Sequence, residues 1–210
     1  MEGTAETRLS VGILAGGKST RMGRDKALLP AGDRTMIDRI AEELGGFSEV
    51  LVSAAEEGAY RETGLRVCPD EHPGIGPIEG IRQVLRAAKE DYAFICAADM
   101  PFIRKEAVLA LAAAIRPGDD CCVLTRGGQP EPLCAVYSRR VLPLIDGLIA
   151  EGCYRPRALY PLCRVRYVPL EETGLGPETV ENLNTPGEYA AAEPRLRGTD
   201  HDCKTGQNPV

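Results

Sequence analysis

Short apolar segments alternate with longer amphipathic segments along most of this chain. The short segments are apolar at nearly every position, a pattern typical of strands that are covered on both faces of a sheet. This pattern predicts strands at residues 9–14, 49–54, 65–69, 92–98, 121–125, 133–137 and 163–169. The segments between them predict helices at residues 35–45, 77–88, 104–115, 139–150 and 185–192. Strands that alternate with helices form βαβ units, so we predict an α/β fold with a mostly parallel sheet.

The predicted helix at residues 77–88 has the clearest signal of the five. Pro77 suits the first position of a helix, and Glu79 places a negative charge in the first turn. Ile78, Ile81 and Leu85 then recur on one face. This helix is therefore expected to pack that face against the sheet.

A length of 210 residues predicts one domain. The stretch RGGQPEP at residues 126–132 interrupts the alternation, and we interpret it as a loop within that domain. From Pro194 onward the chain is polar and lacks apolar periodicity. We therefore predict a domain over residues 1–193 and a disordered tail over residues 194–210.

Acidic residues outnumber basic residues by 31 to 25, which gives a formal net charge of −6. A protein whose main partner is a nucleic acid is usually basic or carries a basic face, so this balance argues against such a partner. No apolar run is long enough to span a bilayer, and the N-terminus lacks the apolar core of a signal peptide. We predict a cytoplasmic protein with no membrane partner, in which any anion site is built locally.

Eight cysteines are scattered along the chain without a CxxC pair, and the only histidines are His72 and His201. This spacing offers no framework for a zinc site. Most of the cysteines lie in apolar runs, so we interpret them as small buried apolar residues in a reducing compartment.

The segment after the first predicted strand combines glycines with positive charge. Gly16 and Gly17 allow backbone N–H groups to approach a phosphate, because no Cβ stands in the way. Four cations follow within nine residues, and they are Lys18, Arg21, Arg24 and Lys26. They supply the charge that an acidic protein needs locally to bind a polyphosphate. A basic surface turn would need fewer glycines and cations.

Residues 12–19 also match the Walker A pattern GxxxxGK[ST]. In that interpretation Lys18 would contact the phosphates and Ser19 would bind Mg²⁺. However, the first glycine of the match lies inside the apolar run rather than after it. Gly23 and Pro30 would also interrupt the helix that must follow the lysine. The context therefore disfavours a P-loop.

Five segments of the chain follow one another in the order of a known family pattern. They are LAGGKSTRMGRDKALLP at 14–30, PD at 69–70 with GPIEG at 76–80, ADMP at 98–101, EPLCAVY at 131–137 and NLNTPGE at 182–188. Together they resemble nucleotidyltransferases with a Rossmann-like fold, and they most resemble the molybdenum cofactor guanylyltransferase (MobA-like) family. The resemblance covers residues 11–189, and its first and last segments are the specific ones.

This resemblance implies a Rossmann-like three-layer α/β/α sandwich of the nucleotidyltransferase type. It also implies Mg²⁺-dependent transfer of GMP from GTP to the terminal phosphate of molybdopterin, which releases pyrophosphate and forms the guanine dinucleotide cofactor. The partners are then GTP and a molybdopterin-type cofactor, with other proteins of cofactor biosynthesis as further candidates.

Two alternatives stay open at this point. The first is a cytidylyltransferase, or another nucleotidyltransferase with a different phosphorylated acceptor. The related cytidylyltransferases tend to carry LAAG, so the pair Gly16-Gly17 favours guanine. The second is a nucleotide-binding module without turnover, against which the intact Lys26 and Asp99 argue.

The loop chemistry and the resemblance together predict the site residues. The nucleotide-binding residues are Leu14, Ala15, Gly16, Gly17, Lys26, Ser53, Asp70, Gly76, Pro77, Gly80 and Asp99. The catalytic residues are Lys26, Arg21 and Asp99, with Asp99 as the metal ligand. Asn182 and Asn184 are predicted to contact the acceptor or the metal.

The predicted topology explains why these residues would meet. Gly16, Ser53, Asp70 and Asp99 each follow the carboxyl end of a predicted strand, and the ligand crevice of an open α/β sheet lies outside those ends. Asp99 ends a strongly apolar strand, and its carboxylate suits the preference of Mg²⁺ for oxygen ligands. The alternative for Asp99 is a cap for the helix at residues 104–115.

The chemistry requires stabilisation of charge rather than a base. Lys26 and Arg21 would stabilise the negative charge that moves toward the leaving oxygen. The nucleophile is a phosphate monoester, whose second pKa of about 6 leaves it mostly dianionic at neutral pH. Positioning and electrostatics would then account for the catalysis.

Two positions depart from the family pattern. Ser53 stands where the family commonly has asparagine, at the position of a base or ribose contact. Glu79 replaces a small residue of the GPLxG loop. Its carboxylate would either accept hydrogen bonds from guanine N1 and N2 or cap the helix.

Several candidates also have a purely structural interpretation. Asp70 would serve as a turn residue in PDEHPG. Asn182 and Asn184 would serve as turn or cap residues, next to Thr185 as the cap of the last helix. Arg155 and Arg157 would either contact an anionic acceptor or serve as solvated charges on a helix, and we favour the second interpretation.

Overall fold

The computed structural model describes residues 8–16 and 25–198. Its strands are β1 Ser10–Leu14, β2 Pro30–Ala31, β3 Arg34–Thr35, β4 Glu49–Ala54, β5 Arg66–Pro69, β6 Tyr92–Ala97, β7 Cys121–Arg126, β8 Gln129–Ser138 and β9 Val165–Pro169. Its α-helices are α1 Met36–Glu43, α2 Pro77–Ala87, α3 Lys105–Ala114, α4 Leu142–Ala150 and α5 Pro186–Gly198. The seven predicted strands and five predicted helices are confirmed, with shifted ends. The short hairpin of β2 and β3 was not predicted.

Seven of the strands form one sheet in the order β5-β4-β1-β6-β8-β7-β9. β1 is parallel to β4 and β6, β4 is parallel to β5, and β7 is parallel to β9, whereas β8 is antiparallel to both of its neighbours. The prediction of a mostly parallel sheet is confirmed. The chain moves outward from β1 through β4 to β5 and then returns to the other side of β1 as β6. The strand order therefore reverses between β1 and β6, which is where an open α/β sheet opens a ligand crevice.

Helices cover both faces of this sheet. One buried cluster joins the sheet to α1 and α3 and includes Ile40 and Leu111. A second cluster joins the opposite face to α2 and α4 and includes Ile81 and Ile145. The predicted three-layer α/β/α sandwich is therefore confirmed. Among the described helices, none has the length and apolar character needed to cross a membrane.

The segment at residues 126–132 is not the loop that the sequence predicted. β7 ends at Arg126 and β8 begins at Gln129, so Gly127 and Gly128 form a two-residue hairpin with φ angles of +54° and +75°. Both angles lie in the region that favours glycine, as the tight turns of hairpins require. β8 pairs with β6 only as far as Cys134, so its first residues extend past the carboxyl end of β6. This extension brings β8 to the edge of the sheet where the crevice opens.

The predicted boundary of the disordered tail, at residue 194, lies before the end of the last helix. α5 continues through Pro194 to Gly198, and the described part of the tail is therefore helical. Leu196 is fully buried, in a cluster with Ala192 and Phe102. The guanidinium of Arg195 lies 4.2 Å from the centre of the Phe102 ring and pairs with Glu181 at 2.8 Å. Packing against the domain thus stabilises a polar segment that lacks apolar periodicity, while residues 199–210 lie outside the described part.

Candidate active site

A cleft of about 360 Å³ opens at the carboxyl ends of β1 and β6. Its lining comes from six separate parts of the chain. The residues are Leu14, Ala15, Gly16, Asp25, Lys26, Ala27, Pro77, Ala97, Ala98, Asp99, Leu133, Asn182 and Asn184. Eight of the predicted site residues are among them, so the expected convergence at the strand ends is observed for these eight.

Backbone hydrogen bonds to both neighbouring strands fix the path of the chain where it leaves β1. The amide of Ala15 donates to the carbonyl of Ser53 at 2.9 Å, and the amide of Ala98 donates to the carbonyl of Leu14 at 3.0 Å. Gly16 therefore stands at the mouth of the cleft, where a Cβ would lie 3.2 Å from Oδ2 of Asp70. A side chain at this position would crowd that carboxylate, which explains the glycine. Gly17 and Arg21 lie outside the described residues.

Lys26 joins two other predicted site residues. Its Nζ lies 3.1 Å from Oδ2 of Asp99 and 2.9 Å from Oδ1 of Asn184. The side chains of Lys26 and Asp99 are 19% and 20% exposed. At this level of burial, the ion pair is screened less than a pair on the open surface. A cation, a carboxylate and an amide from distant parts of the sequence thus meet at one point.

Two residues that the sequence analysis missed hold Lys26 in place. Asp25 caps the short 3-10 turn Lys26–Leu28, because its Oδ1 accepts a hydrogen bond from the amide of Ala27 at 3.0 Å. The hydroxyl of Tyr60 donates to Oδ2 of Asp25 at 2.6 Å. Burial raises the pKa of Tyr60 well above its ordinary value, as does the Asp25 carboxylate, so the hydroxyl keeps its proton. Nothing in the sequence pairs these residues, since 35 positions separate them.

Asp99 is not a helix cap. The N-cap of α3 is Arg104, so the alternative interpretation of Asp99 is wrong. The backbone carbonyl of Asp99 accepts a hydrogen bond from the amide of Leu183 at 2.9 Å. This bond joins the end of β6 to the segment that carries Asn182 and Asn184.

The predicted cap before α5 is confirmed, and it coexists with a role for Asn184. The amide of Glu188 donates to Oγ1 of Thr185 at 3.2 Å, and Oε2 of Glu188 accepts from the amides of Asn184 and Thr185 at 2.6 and 2.9 Å. This reciprocal arrangement is a capping box. It holds the backbone of Asn184 while the side chain reaches Lys26.

Ser53 and Asp70 lie beside the cleft rather than in its lining. Ser53 is 1% exposed, and its hydroxyl donates to Oδ1 of Asp70 at 3.0 Å. A Cβ on Gly80 would lie 2.7 Å from that hydroxyl, so glycine lets α2 approach β4 closely. Burial raises the pKa of Asp70 above its ordinary value, although the bond from Ser53 opposes this shift.

Gly76 and Glu79 also lie outside the lining, for different reasons. Gly76 precedes α2 with a φ of +104°, which favours glycine and directs Pro77 into the cleft. Glu79 is buried in the first turn of α2, where its Oε1 accepts hydrogen bonds from two amides of the preceding loop. Neither expected role of Glu79, a guanine contact or a cap of its own helix, matches these contacts.

Arg155 and Arg157 are both exposed, as solvated charges are expected to be. One of them, Arg157, also donates a hydrogen bond to the backbone carbonyl of Pro130. Arg157 therefore contacts the extension of β8 beside the cleft.

The P-loop interpretation does not match the described geometry. Gly12 lies in the middle of β1, where a Cβ would stand 2.5 Å from Cγ1 of Val84 in α2. This glycine therefore permits helix packing and does not belong to a phosphate loop. In the described part of the chain after β1, the first α-helix begins only at Met36.

Comparisons with known proteins show which family this chain is similar to. The model of the MobA-like NTP transferase domain matches residues 11–166. A probable molybdenum cofactor guanylyltransferase of Carboxydothermus hydrogenoformans is 33% identical over 187 residues, which cover 86% of this chain and 93% of that protein. One of Pelotomaculum thermopropionicum is 38% identical over 185 residues, which cover 86% of this chain and 89% of that protein.

A solved structure supports the fold. The crystal structure of molybdopterin-guanine dinucleotide biosynthesis protein A from Archaeoglobus fulgidus superposes with a TM-score of 0.79 over 90% of this chain and 100% of that chain, at 24% identity. At that identity the likeness concerns the fold alone. The family model and the two relatives, however, cover most of the sequence, and the chain therefore belongs to the MobA-like NTP transferase family.

Proposed function

We propose that this protein transfers GMP from GTP to the terminal phosphate of molybdopterin and releases pyrophosphate. The observation that carries the proposal is the meeting of Lys26, Asp99 and Asn184 at the carboxyl ends of β1 and β6. Relatives at 33% and 38% identity that bear the name molybdenum cofactor guanylyltransferase give further support. The product is the guanine dinucleotide form of the cofactor.

In the proposed reaction, a terminal phosphate oxygen of molybdopterin attacks the α-phosphorus of GTP. The bond from that phosphorus to the oxygen bridging to the β-phosphate breaks, and pyrophosphate leaves with the electron pair. The attacking phosphate is mostly dianionic at neutral pH, because its second pKa is about 6. No base is needed, which is consistent with the absence of histidine from the described residues that line the cleft.

The chemistry of the donors suits a magnesium ion. Asp99 offers carboxylate oxygens and Asn184 an amide oxygen, and both side chains reach the same ammonium group within 3.1 Å. Oxygen donors of these kinds are the ligands that Mg²⁺ prefers. When bound, the ion would neutralise negative charge on the phosphates of the nucleotide. We assign Asp99 as its carboxylate ligand, with Asn184 as a second donor or as a contact for the acceptor.

Lys26 supplies the cation of the site. Asp25 and Tyr60 hold the turn on which it lies, so little reorganisation is needed when charge develops on the leaving phosphate. Gly16 lets the backbone approach the phosphates, and Pro77 lines the same cleft. The roles of Gly17 and Arg21 stay predictions.

The first prediction concerns the nucleobase. Isothermal titration in the presence of Mg²⁺ should show that GTP binds more tightly than CTP or ATP. The LAGG loop and the names of the relatives motivate this order. Binding of CTP that equals or exceeds that of GTP would favour a cytidylyltransferase.

The second prediction concerns the reaction. Pyrophosphate release should require both GTP and molybdopterin when GTP, CTP, ATP and UTP are each assayed with and without the acceptor. Pyrophosphate release with a nucleotide other than GTP would show that the enzyme uses a different nucleobase. If GTP binds but no nucleotide yields pyrophosphate with molybdopterin, the protein is a binding module or uses another acceptor.

A further inference from the structure

Glu79 is a buried carboxylate whose role the proposed reaction leaves unexplained. It lies in the first turn of α2 and is 1% exposed. Its Oε1 accepts hydrogen bonds from two backbone amides of the loop between β5 and α2, those of Glu71 at 2.8 Å and His72 at 3.3 Å. The same oxygen accepts from Arg82 at 3.0 Å and from Gln83 at 2.7 Å. One carboxylate oxygen thus ties the loop to the helix.

A second set of contacts holds the same loop through the side chain of Glu71. Arg82 is 4% exposed, and its guanidinium reaches Oε2 of Glu71 at 2.7 Å and Oδ1 of Asp146 in α4 at 3.2 Å. Arg86 also pairs with Glu71 at 2.7 Å. Glu71 is therefore held at its backbone by Glu79 and at its carboxylate by two arginines.

Glu79 and Arg82 form a buried ion pair, with 3.0 Å between Oε1 and the guanidinium. Burial by itself raises the pKa of Glu79, but the hydrogen bonds from Gln83, Arg82 and the two loop amides outweigh it and leave that pKa below its ordinary value. A carboxylate that accepts several charge-assisted or amide hydrogen bonds holds its donors more firmly than a neutral acceptor does. Glu79 therefore constrains the loop strongly at neutral pH.

The constrained loop carries a residue that borders the nucleotide cleft. Asp70 directly precedes Glu71, its amide donates to the carbonyl of Ala54 at 2.8 Å, and its Oδ1 accepts from Ser53. Its other oxygen, Oδ2, lies 3.2 Å from the position of a Cβ on Gly16. Because Glu71 follows Asp70 directly, a shift of the Glu71 amide would change the position of Asp70 relative to Gly16, which lines the cleft.

We infer that Glu79 is a positioning residue that sets the loop at residues 70–76, so that Asp70 and Pro77 meet the nucleotide without any contact between Glu79 and the base. The inference rests on the proposed function, which places GTP in this cleft. It differs from the role expected from the sequence, in which the carboxylate would accept hydrogen bonds from guanine itself.

The test compares Glu79→Ala with Asp146→Asn as the matched control. Asp146 contacts the same two arginines from α4, whereas the loop amides bind Glu79. Glu79→Ala should raise the Kd for GTP, measured by titration with Mg²⁺, by about tenfold to a hundredfold, the loss expected when one hydrogen bond to a charged ligand is lost. At saturating GTP, kcat should stay within about threefold, because binding shared by ground state and transition state affects KM alone. Asp146→Asn should change neither value by more than about twofold, because the Asp146 side chain is 44% exposed and asparagine keeps an oxygen that can accept from the two arginines.

Two further measurements separate positioning from general destabilisation and from base contact. Hydrogen exchange over residues 70–76 should rise in Glu79→Ala and stay unchanged in Asp146→Asn. Glu79→Gln keeps an acceptor oxygen for the two amides, so it should recover much of the GTP affinity. It also keeps the test valid if the alanine variant fails to fold. The ratio of affinities for GTP and ITP, which lacks the 2-amino group, reports on direct base contact.

Unchanged exchange and unchanged GTP affinity in both Glu79 variants would overturn the inference. Loss of the preference for GTP over ITP without a change in exchange would also overturn it, because Glu79 would then contact the base. If the wild-type protein does not bind GTP, the proposed function fails. The exchange data would still decide whether Glu79 holds the loop.

Discussion

Asp99→Asn should abolish Mg²⁺-dependent transfer and leave the fold intact. The substitution keeps the shape of the side chain but removes a hard anionic ligand and the ionic partner of Lys26 at 3.1 Å. Loss of one such electrostatic group costs a factor of about 10² to 10³ in rate, and here the metal and the lysine would both be affected. The measurements are kcat with GTP and molybdopterin across a range of Mg²⁺ concentrations, and circular dichroism for the fold.

Asp33→Asn is the matched control for this change. Asp33 lies in the turn between β2 and β3 with a side chain that is 72% exposed, and it does not belong to the cleft lining. Its replacement should leave kcat within about twofold, as surface substitutions away from a site usually have small effects. Near-normal turnover of Asp99→Asn would show that the metal assignment is wrong.

Lys26→Ala should reduce kcat/KM at least tenfold more than Lys18→Ala. Lys26 is largely buried and contacts Asp99 and Asn184, so its charge acts in a shielded cleft. A contact of this kind that strengthens in the transition state contributes about 2.7–4 kcal/mol, whereas a solvated lysine contributes roughly 1 kcal/mol or less. The two variants should be assayed side by side with GTP and molybdopterin at one ionic strength, because surface charges are screened by salt.

The comparison also decides between the two interpretations of the glycine loop. A P-loop would use Lys18 on the phosphates, so Lys18→Ala would then be the more damaging change. The position of Gly12 inside β1, against Val84 of α2, leads us to expect the opposite result. Circular dichroism of both variants would exclude unfolding as the cause of a loss.

The sequence by itself determined the seven strands of the main sheet, the five α-helices and the strand ends at which polar residues follow apolar runs. This was possible because a strand covered on both faces must be apolar at nearly every position, and Pro77 marks the start of α2 without reference to any distant residue. The five family segments likewise identified Lys26, Asp99 and Asn184 as candidates. The topology also predicted that Gly16 and Asp99 would lie at one cleft, since the ends of parallel strands face the same edge of the sheet.

Tertiary packing decided where β8 begins and where α5 ends. The sequence pattern places the start of β8 too late, at residue 133, because Pro130 and Pro132 lack the N–H group that a central strand needs. The strand tolerates them there because β6 has already ended on that side and only β7 remains to be paired. In the same way, burial of Leu196 stabilises the end of α5, although the local pattern predicts disorder.

Contacts between distant residues were beyond any local pattern. Lys26 and Asn184 are 158 positions apart, and the support of Lys26 by Asp25 and Tyr60 depends on how β1 and the segment after β4 pack together. Glu79 shows the limit most clearly, because its position in the first turn of a helix predicts a cap or a ligand contact. Only the folded loop places two amides against its carboxylate. A buried charge needs hydrogen-bond donors, and packing determines which donors lie near it.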